Sequence, residues 1–323
     1  MTAINVLVTG SSGFIGTALL DRLASDNFFN VIGVVRTSDE KSFKNVSLVE
    51  IQNISPKTNW SEALKNIDVV VHLAARVHIL KESVSDSIAA YRSMNVDSTL
   101  NLARQALNSG VKRFIYLSSI KVNGEFTLPG SPYSEAISQP PEDPYGLSKY
   151  EAEIQLRELT KNSSMEVVII RPPLVYGPGV KANFKSMMDW LDKGVPLPLG
   201  AIKNKRSLVS VENLADFIVV SLSHPLAANE TFLVSDGDDL STTQLLRFLA
   251  QGLDRSVYLI PVPMWLIKFV FRLLGKNAIS QRLCGSLQVD INKAKTLLNW
   301  RPPLTVKVAL EKTAKHFLRD KGH

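Results

Sequence analysis

Short apolar runs alternate with longer amphipathic stretches over the first 120 residues. The runs are rich in β-branched residues and apolar almost throughout, which is typical of strands covered on both faces of a parallel sheet. The pattern predicts strands over 5–9, 30–35, 47–51, 69–73 and 113–118, and helices over 14–24, 60–65 and 91–109. Strands that alternate with helices in this way indicate βαβ units.

The pattern changes after Gly124, where a loop rich in Pro, Ser and Glu begins. It then predicts a helix over 145–161, a buried strand over 166–170, a loop over 172–179, a helix over 183–193, strands over 207–211 and 231–234, and a mainly helical end over 240–323. We therefore expect an α/β protein with a doubly wound parallel sheet and a smaller, mainly helical C-terminal lobe.

One apolar stretch, 261–276, is interrupted by Lys268 and Arg272. It is too short and too charged to span a bilayer. We expect a packed helix of the small lobe, with weak contact to a membrane surface as the alternative.

Composition narrows the function classes. The chain has 323 residues, of which 45% are hydrophobic and 21% charged, as in an ordinary globular protein. The formal charge of +7 favours an anionic partner, and its even spread favours a phosphorylated small molecule over nucleic acid.

Cysteine and histidine usage excludes two kinds of site. The single cysteine, Cys284, cannot form a disulfide within the chain, which fits a reducing compartment. We expect no metal site, because no metal-ligand spacing is found among His72, His78, His224, His316 and His323. No signal-peptide pattern precedes the first strand, so we expect a cytoplasmic protein.

A glycine-rich turn links the first strand to the first helix. Gly10 suits a tight turn, Gly13 lets backbone amides approach a pyrophosphate, and Gly16 allows close packing of helix on strand. The following helix N-terminus offers free N–H groups to phosphate oxygens. Because a strand precedes this motif and a helix follows it, a dinucleotide site is favoured over incidental glycines.

Tyr145 and Lys149 form a candidate acid–base pair. Their spacing of four residues places both on one face of the helix predicted to begin near Asp143 and Pro144. We expect the ammonium to lower the pKa of the phenol, so that the phenol can exchange a proton with a carbinol oxygen.

The glycine spacing, the serines that end the strand over 113–118, and the Tyr145/Lys149 pair together resemble the extended short-chain dehydrogenase/reductase family, also called the NAD-dependent epimerase/dehydratase family. The resemblance implies that Ser119, in preference to Ser118, holds the substrate oxygen beside Tyr145 and Lys149. It implies a Rossmann-type dinucleotide-binding domain over 1–174, to which 207–236 returns, and a substrate-binding lobe made of 175–206 and 237–323.

The resemblance also implies a set of dinucleotide contacts. Arg36 ends the second strand and suits the 2′-phosphate of NADP, with NAD as the alternative. The implied cofactor-binding residues are Gly10, Ser12, Gly13, Phe14, Ile15, Gly16, Arg36, Asn53, Ile54, Leu73, Ala74, Ala75, Asn95, Tyr145, Lys149 and Pro172.

On the substrate side the resemblance implies a nucleotide sugar, with UDP favoured. A guanidinium can grip diphosphate oxygens with two parallel bonds, and Arg206 stands where the family places such a residue. The implied substrate-binding residues are Ser119, Lys121, Asn183, Arg206 and Arg282. The resemblance also implies a homodimer formed through the helices predicted over 91–109 and 145–161.

Four functions remain open at this point. We expect first a reductase acting on the 4-keto group of a UDP-linked, N-acetylated 6-deoxyhexulose in surface polysaccharide biosynthesis. The alternatives are a UDP-hexose 4-epimerase and a non-sugar carbonyl reductase. Asn123 and Leu174 depart from the family pattern, which counts against simple UDP-glucose epimerisation. A non-catalytic dinucleotide sensor is disfavoured because Tyr145 and Lys149 are both present.

Overall fold

The computed structural model describes residues 3–37, 43, 45–77, 84–128 and 130–322. Its central strands are β1 (Ile4–Thr9), β2 (Phe29–Val35), β3 (Val46–Glu50), β4 (Val69–His72), β5 (Arg113–Leu117), β6 (Glu166–Arg171) and β9 (Thr231–Leu233). They form one parallel sheet in the order β3-β2-β1-β4-β5-β6-β9. The strand order reverses between β1 and β4, so a crevice is expected beyond the carboxyl ends of these two strands.

Helices cover both faces of the sheet. On one face lie α1 (Phe14–Ala24) and α6 (Val211–Ser223); on the other lie α2 (Val84–Tyr91), α3 (Ser98–Asn108) and α4 (Pro144–Thr160). Successive strand residues point to opposite faces, so Val6 and Val8 join the core under α1 and α6, and Leu7 joins the core under α3 and α4. This is the doubly wound α/β architecture that the sequence predicts.

A smaller lobe has its own hydrophobic core. Its elements are the paired strands β7 (Leu174–Tyr176) and β8 (Leu208–Ser210), and the helices α5 (Ala182–Asp192), α7 (Thr242–Gly252), α8 (Met264–Leu273), α9 (Asn277–Cys284) and α11 (Val306–Asp320). The short α10 (Asn292–Leu297) packs against β9 instead. The domain boundaries given above stay a prediction.

Three predicted elements differ from the structure. Residues 60–65 form turns instead of a helix. Trp60 and Leu64 are both buried in the core, and a single backbone hydrogen bond joins them, which is too little to continue as a helix. The helix predicted over 91–109 begins earlier, at Val84, and is interrupted by a π-helical turn over Arg92–Asp97. The loop predicted over 172–179 contains β7, which pairs in parallel with β8.

Helix α8 is the predicted helix of the small lobe, but it packs against the lobe on one side only. Ile267 is buried in the lobe core, but Trp265 is 69% exposed and Leu273 is 72% exposed. Within the described ranges, no helix is long and apolar enough to cross a membrane.

Candidate active site

The glycine turn lies at the carboxyl end of β1, beside the crevice. Gly10 has a φ of +69°, and a Cβ there would lie 2.8 Å from the backbone nitrogen of Ala74. A Cβ on Gly16 would overlap the carbonyl oxygen of Gly10. The backbone N–H of Gly13 donates to Gly10 at 3.0 Å and closes the turn. The two outer glycines therefore have the roles that the sequence predicts for them, a left-handed turn and a close helix–strand contact.

An open cleft lies beside the segment that follows β4. It has a volume of about 430 Å³ and is lined in part by Asn53, Ile54, Ala75 and Met94. Arg36 is exposed directly after β2, at the same edge of the sheet. Three predicted cofactor residues thus line one cleft of a size that suits a planar base.

Asn95 connects the segment after β4 to helix α4. Its side-chain oxygen accepts from the backbone N–H of Arg76 at 2.8 Å, and its amide donates to Arg76 at 3.1 Å and to Ser148 at 3.0 Å. The π-helical turn Arg92–Asp97 carries this residue, and such turns occur often at functional sites.

His72 is held below the site by two threonines. Its ring nitrogens contact the hydroxyls of Thr9 at 2.7 Å and Thr99 at 2.9 Å. Burial, with the Lys149 charge as a second cause, lowers the pKa of His72 to about 3. His72 is therefore a neutral, hydrogen-bonded strand residue and not a proton-transfer group.

Ser119, Tyr145 and Lys149 meet at the carboxyl end of β5. The Ser119 hydroxyl lies near the Tyr145 phenol. Asp143 caps α4 by accepting from the backbone N–H of Gly146 at 2.8 Å, which fixes the first turn that carries Tyr145. The ammonium of Lys149 donates to the carbonyl of Leu117 at 2.8 Å.

The prediction that the Lys149 ammonium lowers the pKa of the Tyr145 phenol is wrong for this arrangement. Burial raises the pKa of the Tyr145 phenol well above its usual value, and Asp143 raises it further. Burial also lowers the pKa of Lys149 to about 7, against a smaller opposing effect of Glu153. The Lys149 ammonium is bonded to the Leu117 carbonyl. Removal of Tyr145 and Lys149 from water therefore sets the direction of both pKa shifts.

Lys149 is expected to make the stability of the protein pH-dependent. Its pKa is about 7 in the folded protein and near the ordinary 10.5 when unfolded, so the unfolded chain binds more protons between these values. Stability therefore rises with pH across that window. In urea titrations, the difference in unfolding free energy between wild type and Lys149→Met should grow in favour of wild type above pH 7.

The exposed Lys161, at the end of the same helix, provides the matched control. Lys161→Met should cost little unfolding free energy, because this side chain is exposed to water. A difference between wild type and Lys149→Met that stays constant above pH 7 would show that burial does not shift the Lys149 pKa.

A buried ionic network lies directly beneath the candidate trio. Ser118 donates to Glu153 at 2.5 Å, and Arg171 binds both carboxylate oxygens of Glu153 at 2.9 and 2.6 Å. Ser118 is thus engaged away from Tyr145, which favours Ser119 as the substrate-facing serine. Sequence reasoning does not single out Glu153, although its spacing of four from Lys149 places it on the same helix face.

Asn123, a departure from the family pattern, also belongs to this network. Its side-chain oxygen accepts from Arg171 at 3.2 Å, and its amide donates to Ser134 at 2.8 Å and Ala136 at 3.2 Å. The residue therefore holds the loop that leads to α4. Pro172, buried beside Arg171, accepts a backbone bond from Ile120 at 3.0 Å.

Arg206 and Arg282 lie together in the small lobe. A guanidinium nitrogen of Arg206 donates to the carbonyls of Arg282 at 3.3 Å and Gly285 at 3.2 Å. Burial, and then the charge of Arg282, lowers the pKa of Arg206. Neither arginine forms an ion pair within the described part of the chain, so the pair can accept an anion.

The other two predicted substrate residues have different surroundings. The Lys121 ammonium lies 3.0 Å from a carboxylate oxygen of Asp143 and 3.1 Å from one of Glu125, so two carboxylates already engage it. These contacts tie the segment after Ser119 to the start of α4. Asn183 is exposed in the first turn of α5.

Comparison with known proteins gives consistent matches. The model of the NAD dependent epimerase/dehydratase family matches residues 6–235. A Vibrio cholerae protein named UDP-glucose 4-epimerase is 50% identical over 316 residues, covering 98% of this chain and 96% of its own. An Escherichia coli O157:H7 protein named N-acetyl-alpha-D-glucosaminyl-diphospho-ditrans,octacis-undecaprenol 4-epimerase is 28% identical. That match covers 97% of this chain and 95% of the E. coli protein.

A solved structure supports the fold. The crystal structure of UDP-glucuronic acid 4-epimerase from Bacillus cereus in complex with NAD superimposes with a TM-score of 0.77 at 22% identity, covering 99% of both chains.

Proposed function

The chain belongs to the NAD-dependent epimerase/dehydratase family, and on that premise we propose that it interconverts the C4 epimers of a UDP-linked hexose. The observation that carries the proposal is the placement of Ser119, Tyr145 and Lys149 together at the carboxyl end of β5, the sheet edge that also holds the glycine turn. The 50% identity to a protein named UDP-glucose 4-epimerase supports the same choice. The 4-keto reductase, expected first from sequence, becomes the alternative.

The residues around the glycine turn fit a dinucleotide. Gly10 lets the turn pass directly against the backbone of Ala74, where a side chain would collide, and the first N–H groups of α1 would then face a pyrophosphate. Asn53 and Ile54 would hold the adenine in the cleft, and Lys149 the nicotinamide ribose. Bound NAD supplies a positively charged ring that accepts a hydride and returns it.

The side chains of the site supply positioning and proton transfer. We infer that Tyr145 removes the proton from the sugar 4-hydroxyl and returns it to the same oxygen after the hexose has turned over, while Ser119 hydrogen-bonds that oxygen. The phenol must release its proton for this role. A cation beside it would lower the pKa that burial raises.

Arg206 and Arg282 would hold the diphosphate. Two guanidinium groups without an ion pair among the described residues suit two adjacent phosphates. Holding the substrate by its diphosphate would leave the hexose free to present either face of C4 to the dinucleotide ring, which epimerisation requires.

The test begins with the purified full-length protein. Its bound dinucleotide is extracted and identified, and the protein is then incubated with UDP-glucose and UDP-N-acetylglucosamine without added cofactor. We expect retained NAD and formation of the C4 epimer, followed by proton NMR of the sugar. Freely exchanging NADP(H), as Arg36 favours, with reduction of a 4-keto sugar and no epimer, would establish the reductase instead.

A second candidate substrate is a sugar carried on a lipid diphosphate. The two arginines recognise a diphosphate, which UDP-sugars share with the undecaprenol-linked sugar in the name of the E. coli relative. The exposed apolar residues of α8 are the structural observation that favours this candidate. Assay of both substrates separates the two, and the homodimer stays a prediction.

A further inference from the structure

Helix α8 leaves a larger apolar surface exposed than a helix that is packed on all sides. Met264, Ile267 and Phe271 face the lobe core, whereas the opposite side of the helix is exposed. The exposed apolar residues, here named the α8 face, are Trp265, Leu266, Phe269, Val270, Leu273, Leu274 and Ile279. Four of these side chains are more than half exposed: Trp265 at 69%, Phe269 at 53%, Leu273 at 72% and Leu274 at 61%. A contiguous patch of this kind marks a contact surface.

The charge around the α8 face has one sign. Residues 255–289 contain no Asp or Glu. Arg255 is paired with Asp192, but no carboxylate among the described residues pairs with Lys268, Arg272, Lys276 or Arg282. On the helix, Lys268 and Arg272 fall between the buried side and the exposed apolar side, as expected for cations at the border of an interfacial helix.

We propose that the α8 face docks on an anionic lipid bilayer, with its aromatic and aliphatic side chains in the interfacial region and its cations against the lipid headgroups. A second protein copy would bring the same unpaired cations together, whereas an anionic surface neutralises them. Trp, Phe and Leu on one side with Lys and Arg at the border are the residue types that such an interface selects.

Docking would bring the candidate diphosphate site close to the membrane. Ile279 belongs to the α8 face, and Arg282 lies one turn further along α9 and contacts Arg206. A sugar diphosphate anchored in the bilayer could then reach these arginines. This consequence rests on the proposed function, whereas the docking itself does not.

The experiment is sedimentation of the purified full-length protein with lipid vesicles. We expect binding to vesicles of phosphatidylcholine mixed with phosphatidylglycerol, weaker binding to phosphatidylcholine alone, and loss of binding at high salt. The variant Arg272→Gln/Lys276→Gln should bind roughly 25-fold more weakly, since each cation near an anionic surface contributes roughly fivefold. Trp265→Ser/Phe269→Ser should also lose binding.

The matched control is Leu226→Ser, which removes an apolar residue of 54% exposure outside the α8 face and should bind as wild type. Trp265→Phe should still bind, but without the blue shift of tryptophan fluorescence that vesicles cause in wild type. Equal binding of wild type and the Trp265/Phe269 variant would overturn the proposal. The proposal would also be overturned if the wild type formed a dimer in gel filtration, the Trp265→Ser/Phe269→Ser variant did not, and neither of them bound vesicles. Both readouts are independent of enzymatic activity.

Discussion

Tyr145→Phe is expected to lower the kcat of epimerisation by about 10²–10⁴-fold, the usual contribution of a positioned acid–base group. The substitution removes only the phenolic oxygen that faces Ser119. The ring can keep its packing against Tyr91, whose centroid is 5.9 Å away. Folding and dinucleotide retention should therefore stay as in wild type. Steady-state kinetics, together with extraction of the bound dinucleotide, measures both effects.

Tyr150→Phe is the matched control, because Tyr150 lies on the same helix but has no part in the proposed chemistry. It should keep the wild-type kcat. If Tyr145→Phe retained more than a tenth of the wild-type rate, another group would have to carry the proton.

The sheet was predictable because its strands are buried on both faces. Continuous β-branched runs such as Val69–His72 identify such strands without any knowledge of their partners. The errors fall where local pattern and tertiary contact disagree. The apolar pattern of residues 60–65 reflects the burial of Trp60 and not a helix. Strand β7 is only three residues long, and it is recognised as a strand only through its pairing with β8.

The candidate site was predictable where a spacing carries the geometry. A spacing of four residues from Tyr145 to Lys149 places both on one helix face, and a left-handed turn selects Gly10. Electrostatics was not predictable in this way. The pKa of Lys149 depends on how completely the fold removes it from water, and the contacts of Lys121 with Asp143 and Glu125 join segments that no local pattern connects.

The resemblance favours Ser119 over Ser118, but the physical reason for that preference could be found only in the structure. The adjacent serines point to opposite sides of the chain, and only the position of Glu153 reveals which one is already engaged. That carboxylate, with Arg171, supports the end of β5 from which Ser119 projects. The network is therefore expected to stabilise the protein as well as the site.

Glu153→Ala is expected to lower the free energy of unfolding by about 3–5 kcal/mol, the cost of leaving one partner of a buried ion pair uncompensated. The side chains of Glu153 and Arg171 are each only 4% exposed, so water cannot replace the lost carboxylate. Ser118 loses its acceptor as well. Urea denaturation measures the change, and Glu153→Gln, which keeps an acceptor but removes the charge, should fall between wild type and the alanine variant.

Glu311→Ala is the matched control, because Glu311 pairs with Lys315 at 2.6 Å but with side chains 47% and 58% exposed. An exposed pair of this kind contributes little to stability, so its loss should be small. Replacing both Glu153 and Arg171 by Met should recover part of the stability, since no buried charge then remains. Equal losses for Glu153→Ala and Glu311→Ala would mean that water reaches the Glu153–Arg171 pair, and the same water would then reach Ser118 beneath the candidate site.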